Sequence, residues 1–117
     1  MSLRNHSHIH FAGQITGVEG YVESASMGLL AGRFISQKIL GKAFFLPPRE
    51  SALGSLLAHI TKEAEKETFQ PMNINFGLMP PVPIFKNQSG KNKKLKGIER
   101  KEFQCQRALS SLKEWIK

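Results

Sequence analysis

With 117 residues, the chain is long enough for one ordinary domain with a single hydrophobic core. Its 40% hydrophobic and 22% charged residues are typical of a globular protein and argue against a disordered or fibrous one. One cysteine, Cys105, excludes an internal disulfide, and no apolar leader opens the sequence, so we expect a reducing, cytoplasmic location. Because the longest apolar stretch is short and interrupted by glycine, we expect no membrane partner.

The net charge of +8 is concentrated in the C-terminal part of the chain. Residues 86–117 contain ten Lys or Arg against three Asp or Glu, whereas residues 1–85 are nearly balanced. The densest part, residues 86–96, is polar and lacks helical periodicity. Such a segment attracts phosphates by counterion release, which favours nucleic acid as a partner, although a solvated linker has the same composition. The candidate RNA-binding residues are Lys91, Lys93, Lys94, Lys96 and Arg100.

In chain order, the first predicted element is the end of a short buried strand at residues 9–12, followed at once by a glycine-rich turn. A helix is predicted from Tyr21 to about Leu40. Its apolar residues surround most of its circumference, so we expect it to be buried. Gly41 is expected to end this helix.

The remaining predicted elements are two helices separated by a long loop. The second helix is predicted from about Ser51 to Glu67 and is amphipathic. Residues 69–83 hold four of the six prolines, which predicts an ordered, irregular loop with one short strand from Asn73 to Phe76. The third helix is predicted over residues 99–116. We expect it to dock by an apolar stripe of Cys105, Leu109, Leu112 and Ile116.

A strand that leads through a tight turn into a buried helix is typical of the interior of a parallel α/β sheet. Such a strand needs neighbouring strands for pairing and cover, and no second strand–helix unit is evident here. The sequence therefore predicts the C-terminal part of a larger α/β fold, or a chain that needs a partner to complete its sheet.

The turn between strand and helix carries glycines at positions 13, 17 and 20. Backbone N–H groups and the positive helix dipole favour a polar ligand there, and a phosphate, ribityl hydroxyls or a flavin carbonyl would each fit. The spacing G-x-x-x-G-x-x-G differs from the dinucleotide fingerprint G-x-G-x-x-G, so a plain tight turn is an equal alternative. The carboxylates of Glu19 and Glu23 are expected to favour the dipole rather than to form a catalytic pair.

The residues of this turn and of three later blocks are more specific than their spacing. The four blocks are FAGQITGVEGYVESASMGLLAG, PPRESALGSLLAHIT, FQPMNINFGLMPP and ERKEFQCQRALSSLKEWIK. In order, they resemble the C-terminal part of the TrmFO family, the FAD- and folate-dependent tRNA uracil-C5 methyltransferases related to the GidA or MnmG flavoproteins. The resemblance implies the C-terminal part of a FAD-binding, Rossmann-like domain in three segments, residues 1–40, 41–85 and 86–117.

The resemblance also implies ligands and their contacts. The cofactor would be FAD, with methylenetetrahydrofolate as one-carbon donor and tRNA as the substrate faced by the basic segment and last helix. The family's last strand–helix unit meets the flavin, which implies contacts from Gly13, Gln14, Ile15, Thr16, Gly17, Val18, Glu19 and Gly20. The loop holding Asn73, Asn75, Phe76 and Gly77 is expected to lie near the folate or the flavin face.

Two features of the family have no counterpart in this sequence, the nucleotide-binding G-x-G-x-x-G unit and the catalytic cysteines, which both lie upstream in the family. We therefore predict a truncated or split member, inactive unless a separate N-terminal chain completes it, with no catalytic residue of its own. The alternatives are a non-catalytic, basic RNA-binding module and a non-functional remnant. Cys105 is interpreted as a buried structural thiol rather than a nucleophile.

The histidines and Trp115 are interpreted as structural. His6, His8 and His10 would share one face of a strand, as metal ligands do, but a carboxylate or thiol partner is lacking, so no metal is predicted. His59 lies near the apolar stripe of the second helix. Trp115 is expected to pack against other protein rather than to stack on an RNA base.

Overall fold

The computed structural model shows an α/β chain in two compact units, with three α-helices and four short strands among the residues that it describes. It describes residues 1–3, 5–62, 70–86 and 90–117. Unit 1 comprises residues 1–46 and 56–74, and unit 2 comprises residues 47–55 and 75–117. No helix within the described ranges has both the length and the apolar composition that a membrane span requires.

Unit 1 begins with an antiparallel strand pair, β1 (Ser2–Leu3) and β2 (His6–His10). The sequence predicts a strand in this region, but the prediction that it is buried is wrong, since β2 is exposed along almost its whole length. The reason is that β1 is the only strand paired with it in the described part of the chain, and two residues cover neither face. Ile9 is accordingly 39% exposed.

The first helix, α1 (Tyr21–Ile39), has the predicted bounds. Its C-terminal end is closed by two reversed hydrogen bonds, from the Gly41 amide to the Lys38 carbonyl (3.2 Å) and from the Lys42 amide to the Gln37 carbonyl (2.9 Å). This Schellman arrangement needs a left-handed residue, and Gly41 has φ 63°. The prediction that Gly41 ends the helix is confirmed.

Only one face of α1 is buried, by Met27, Leu30 and Ala31. Leu29 and Ile39 are 76% and 78% exposed, so the prediction of burial around most of the circumference is wrong for the described residues. The helix therefore has more apolar surface than its neighbours within unit 1 cover.

The second helix, α2 (Ala52–Thr61), begins where the sequence predicts. Ser51 caps it: the Ser51 hydroxyl oxygen accepts a hydrogen bond from the Gly54 amide at 3.0 Å, which satisfies a first-turn N–H group. Leu56 and Leu57 form the buried side expected of an amphipathic helix. The predicted continuation over residues 63–67 lies outside the described residues.

The proline-rich loop is irregular over residues 70–84, as predicted, but the strand predicted from Asn73 to Phe76 is wrong. The extended pairing lies one residue earlier, at Met72, which forms a parallel bridge with Val18. The basic segment also differs from its prediction. It contains a strand, β4 (Asn92–Lys93), that pairs antiparallel with β3 (Phe85–Lys86).

The third helix, α3 (Gly97–Ile116), extends the predicted helix by two residues at its start, but its buried face is not the predicted stripe. The buried residues are Gln104 and Ala108, whereas Cys105 is exposed and Leu109 and Ile116 are 52% and 60% exposed. The face is therefore turned by one residue, about 100°. The interpretation of Cys105 as a buried thiol is wrong.

Polar contacts with the proline-rich loop explain which face of α3 docks. The Gln104 amide group lies 3.5 Å from the Pro80 carbonyl, and the Arg107 guanidinium donates to the carbonyls of Pro80 and Pro81, the latter at 3.0 Å. These carbonyls have no strand partner, and a carbonyl left unpaired inside a protein is costly. These hydrogen bonds hold the face of α3 that carries Gln104 and Arg107 against the loop.

Two glycine-to-alanine changes in helices are expected to have opposite effects on stability. A Cβ at Gly54 would overlap the Pro48 carbonyl and lie 2.6 Å from the Pro47 carbonyl oxygen, whereas a Cβ at Gly28 would meet nothing within 4 Å. We expect Gly54→Ala to lower the free energy of unfolding by about 1–3 kcal/mol. Gly28→Ala is expected to raise it by roughly 0.5–1 kcal/mol, because alanine loses less backbone entropy in a helix.

The measurement is urea unfolding followed by circular dichroism on both variants. A Gly54→Ala protein as stable as Gly28→Ala would contradict the close packing of the residues before α2 against its first turn.

Candidate functional site

The glycine turn, residues 13–20, depends on three residues with positive φ. Gly13, Gly17 and Gly20 have φ values of 80°, 88° and 89°, a conformation that other residues rarely adopt. Between the first two lies a single 3-10 turn, Gln14–Thr16. The glycines are therefore required by the backbone path that connects β2 to α1.

Several polar groups of the turn are already paired inside the chain. The Thr16 amide and hydroxyl both donate to the Gly13 carbonyl, at 2.9 and 2.6 Å, and the Gly17 amide donates to the Gln14 carbonyl at 3.0 Å. These groups close the turn on itself. A ligand would therefore have to use other N–H groups of the site, chiefly those at the start of α1.

The proline-rich loop is anchored directly on this turn. The Glu19 amide donates to the Met72 carbonyl and the Met72 amide donates to the Gly17 carbonyl, both at 3.1 Å. Val18, between the two paired positions, is fully buried. This bridge joins two segments that the sequence predictions assign to cofactor and substrate binding.

The bridge brings Asn73 to the start of α1. Its side-chain amide donates to the Glu23 carboxylate at 3.4 Å. Asn75, Phe76 and Gly77, predicted with Asn73 to face a substrate, belong to unit 2. Asn73 thus belongs to unit 1 and lies beside the helix start that follows the glycine turn.

The first turn of α1 already holds a carboxylate. Gly20 is the N-cap, and a Cβ there would overlap the Glu23 carboxylate and lie 2.6 Å from Asn73 Nδ2. The first N–H groups of a helix lack intrahelical acceptors and attract negative charge. Because Glu23 supplies that charge, a phosphate would meet a like charge at this point, whereas a neutral carbonyl or hydroxyl would not.

Exposed apolar side chains precede and begin α1. Ile15, Tyr21 and Val22 are 76%, 97% and 76% exposed. Ile15, but neither Tyr21 nor Val22, also lines a hollow of about 430 Å³ in unit 1, a volume in the size range of small-molecule sites. Its lining residues are Met1, Ser2, Phe11, Ile15, Thr16, Ile60, Thr61 and Lys62. The arrangement is suited to a flat apolar ring with neutral polar edges.

The basic residues predicted to bind RNA all lie in unit 2 and all are exposed. They are Lys91, Lys93, Lys94, Lys96 and Arg100. Lys93 lies 3.9 Å from the Glu99 carboxylate, with both side chains more than half exposed. An exposed ion pair of this kind is weak and leaves the positive field of the segment largely intact.

The histidines show no arrangement for catalysis or metal binding. The rings of His6 and His8 lie edge to face at 5.9 Å, and no group of three or more His, Cys, Asp or Glu suited to a metal occurs among the described residues. His59 is buried, with Nε2 3.3 Å from the Gln70 carbonyl, which agrees with its structural interpretation.

One contact of the site, and the burial of one residue of α3, could not be predicted from the sequence. The contact between Asn73 and Glu23 joins residues 50 positions apart, and the burial of Gln104 goes against the apolar periodicity of its helix. A polar residue beside an apolar stripe is the only trace that Gln104 leaves in the sequence, and many exposed residues share it.

The model of the family described as glucose inhibited division protein A matches residues 1–43, which contain the glycine turn and α1. A protein of Rhodospirillum rubrum named methylenetetrahydrofolate–tRNA-(uracil-5-)-methyltransferase TrmFO is 53% identical over the whole chain. The chain belongs to the TrmFO family. It corresponds to the C-terminal region of its relatives and spans about a quarter of their length.

Other TrmFO-named relatives agree. One from Rhizorhabdus wittichii is 50% identical over 99% of the chain and 25% of its own length. One from Dinoroseobacter shibae is 54% identical over 83% of the chain and 22% of its own length. Membership of the TrmFO family, related to GidA, is thereby confirmed.

Gly20→Ala is expected to lower the free energy of unfolding by roughly 1–3 kcal/mol, since φ near 89° is strained for any residue with a Cβ. We expect the same loss when the change is made in a Glu23→Ala background, because the long Glu23 side chain can swing away from the new methyl group. Chemical unfolding of the four proteins of this cycle measures both values. Recovery of stability in the double variant would instead attribute the cost to crowding by Glu23.

Proposed function

We propose that this chain forms the flavin-facing part of a TrmFO-type enzyme, which transfers a one-carbon unit from methylenetetrahydrofolate to C5 of a tRNA uracil. The carrying observation is the glycine turn at the start of α1, with Asn73 hydrogen-bonded to Glu23 beside it. The glycine turn and Glu23 lie within the part of the chain that matches the GidA family model, residues 1–43. The donor, the tRNA and the reaction are those in the names of the relatives.

The residues at this turn favour the flavin and ribityl portion of FAD over its phosphates. A ribityl hydroxyl can donate to the Glu23 carboxylate, and a flavin carbonyl can accept from the first N–H groups of α1. Ile15, Tyr21 and Val22 offer apolar surface to a ring. A diphosphate would be repelled by the Glu23 carboxylate at the same place.

FAD, when bound, supplies the redox chemistry that the transfer of a one-carbon unit as a methyl group requires. The proposed contacts are those at Gly13 to Gly20, chiefly through the N–H groups at the start of α1, since Val18 is buried and the Thr16 and Gly17 amides are already paired. Asn75, Phe76 and Gly77 are proposed to contribute to substrate binding from unit 2. The Rossmann-like architecture is proposed for the assembled enzyme, in which further strands would flank β2.

The 117 residues are proposed to act together with the sequence that the relatives carry outside the matched region, whether on the same polypeptide or on a second one. The uncovered surfaces support this proposal. β2 is exposed on both faces, and α1 leaves Leu29 and Ile39 in solvent. By themselves these residues are not expected to transfer a methyl group, since none corresponds to the family's catalytic cysteines.

The flavin proposal predicts which parts of FAD stabilise the chain. A ligand that binds only the folded form raises the melting temperature by mass action. We expect FAD and riboflavin to raise it similarly, and ADP to leave it unchanged, because the site takes the ring and ribityl chain. The measurement is a thermal melt by circular dichroism with each compound in excess.

Glu23→Ala gives a matched test of the same idea. It should weaken the riboflavin shift through the loss of a hydroxyl acceptor. A shift with ADP but not with riboflavin would overturn the assignment, and no shift with any compound would favour a remnant or a pure RNA-binding module.

tRNA is the proposed macromolecular partner, held by the basic segment of unit 2. Residues 86–117 carry most of the chain's positive charge, and Lys91, Lys94, Lys96 and Arg100 are exposed. Phosphate contacts of this kind dominate affinity for nucleic acid and make it depend on salt. The same segment supports the alternative of a non-catalytic RNA-binding module, which differs by lacking any response to flavin.

Replacing Lys91, Lys94 and Lys96 by Gln is expected to weaken tRNA binding and to lower the slope of log affinity against log salt by about one for each lysine that contacts a phosphate. Lys38, Lys42 and Lys62, replaced in the same way, are the charge-matched control and should change little. Fluorescence titrations at four salt concentrations measure both variants. Equal losses in the two triple variants would assign binding to net charge rather than to this segment.

A further inference from the structure

Unit 2 contains a cleft of about 670 Å³ between the proline-rich loop and the first half of α3. This volume lies in the range of small-molecule and single-base sites. The lining residues are Phe76, Gly77, Met79, Pro81, Val82, Pro83, Ile84, Lys94, Arg100 and Gln104. Most of them are apolar, with two cations and one amide among them. Of these lining residues, Phe76 and Gly77 were assigned above to substrate binding, and the other eight were not assigned to flavin or folate.

Gln104 is the buried polar group of this cleft. It is 4% exposed, and its Nε2 lies 3.4 Å from the Phe76 carbonyl and 3.5 Å from the Pro80 carbonyl. Because both neighbours are acceptors, the amide must present its nitrogen to them. Its Oε1 is buried without a partner among the described residues.

An unpaired buried acceptor is destabilising, and its retention calls for an explanation. Oε1 has almost no accessible surface, so a ligand that donates an N–H group satisfies it once the weakly held amide turns towards the cleft. The edges of the nucleobases carry such donors, whereas a phosphate or carboxylate does not.

The remaining lining supports a flat ring with an anionic attachment. Phe76 provides an aromatic surface, and Lys101 Nζ lies 5.7 Å from its ring centre. Lys94 and Arg100 are exposed cations on the lining. Aromatic and apolar side chains next to cations are the usual platform for unpaired bases of single-stranded nucleic acid.

We propose that this cleft binds one unpaired base of the RNA, with a base N–H donating to Gln104 Oε1 and the adjoining phosphate held by Lys94 and Arg100. The proposal rests on the RNA binding proposed above and adds a base-binding site to it. A polyanion is favoured over a small anionic ligand because the positive charge continues past the cleft, through Lys91, Lys93 and Lys96.

The first experiment is photo-crosslinking of the full chain to a tRNA transcript that carries 4-thiouridine in place of uridine. We expect crosslinked peptides from residues 76–84, mapped by mass spectrometry. Crosslinks confined to residues that do not line the cleft, such as Lys91 and Lys93, with tRNA binding intact, would overturn the cleft and leave the RNA-binding proposal standing. Absence of tRNA binding would overturn both.

A cleft-filling variant, Val82→Trp, tests the same site by affinity. We expect about tenfold weaker tRNA binding at every salt concentration, with the salt slope unchanged, because stacking is lost while phosphate contacts remain. Leu40→Trp, at an exposed position of unit 1, is the matched control and should bind as the parent does. Equal affinities of the two variants would contradict the proposal.

A competition experiment distinguishes a bound base from a bound folate. Both ligands combine a flat ring with negative charge. Tetrahydrofolate in excess should leave the crosslinks to residues 76–84 in place. Their loss, with tRNA still bound, would assign the cleft to the folate and overturn the proposal.

Discussion

The left-handed backbone of the glycine turn is the constraint on which the rest of unit 1 depends. Positive φ at Gly17 and Gly20 sets the path from β2 into α1. The same path presents the Gly17 carbonyl and Glu19 amide to Met72, so the proline-rich loop pairs there. Val18 is thereby buried, and Asn73 is delivered to the start of α1. One local backbone requirement thus builds both the core contact and the candidate site.

In unit 2 the corresponding constraint is the need of loop carbonyls for donors. The carbonyls of Pro80 and Pro81 have no strand partner, and Gln104 and Arg107 donate to them from α3. Two polar side chains therefore determine which face of α3 packs against the loop. The same choice buries Gln104 with one acceptor unused, which links the packing of this unit to its proposed base-binding cleft.

The two units carry different chemistry. Unit 1 offers N–H groups, a carboxylate and apolar side chains, which suit a neutral ring with polar edges and not a phosphate. Unit 2 offers cations, an aromatic ring and a buried amide oxygen, which suit a nucleotide. The flavin and the tRNA proposed for this chain are ligands that the TrmFO family implies, and the exposed surfaces of α1 and β2 are consistent with further protein packing there.

The sequence by itself determined the three helices, the end of α1 at Gly41, the glycine turn and the family, because backbone conformation and residue identity are local properties. Tertiary structure decided which faces are covered. Periodicity predicts Cys105 and Leu109 on the buried side of α3, but contacts to Pro80 select Gln104 instead. The pairing of Val18 with Met72, and of Asn73 with Glu23, likewise joins residues distant in the chain, whose approach no local pattern encodes.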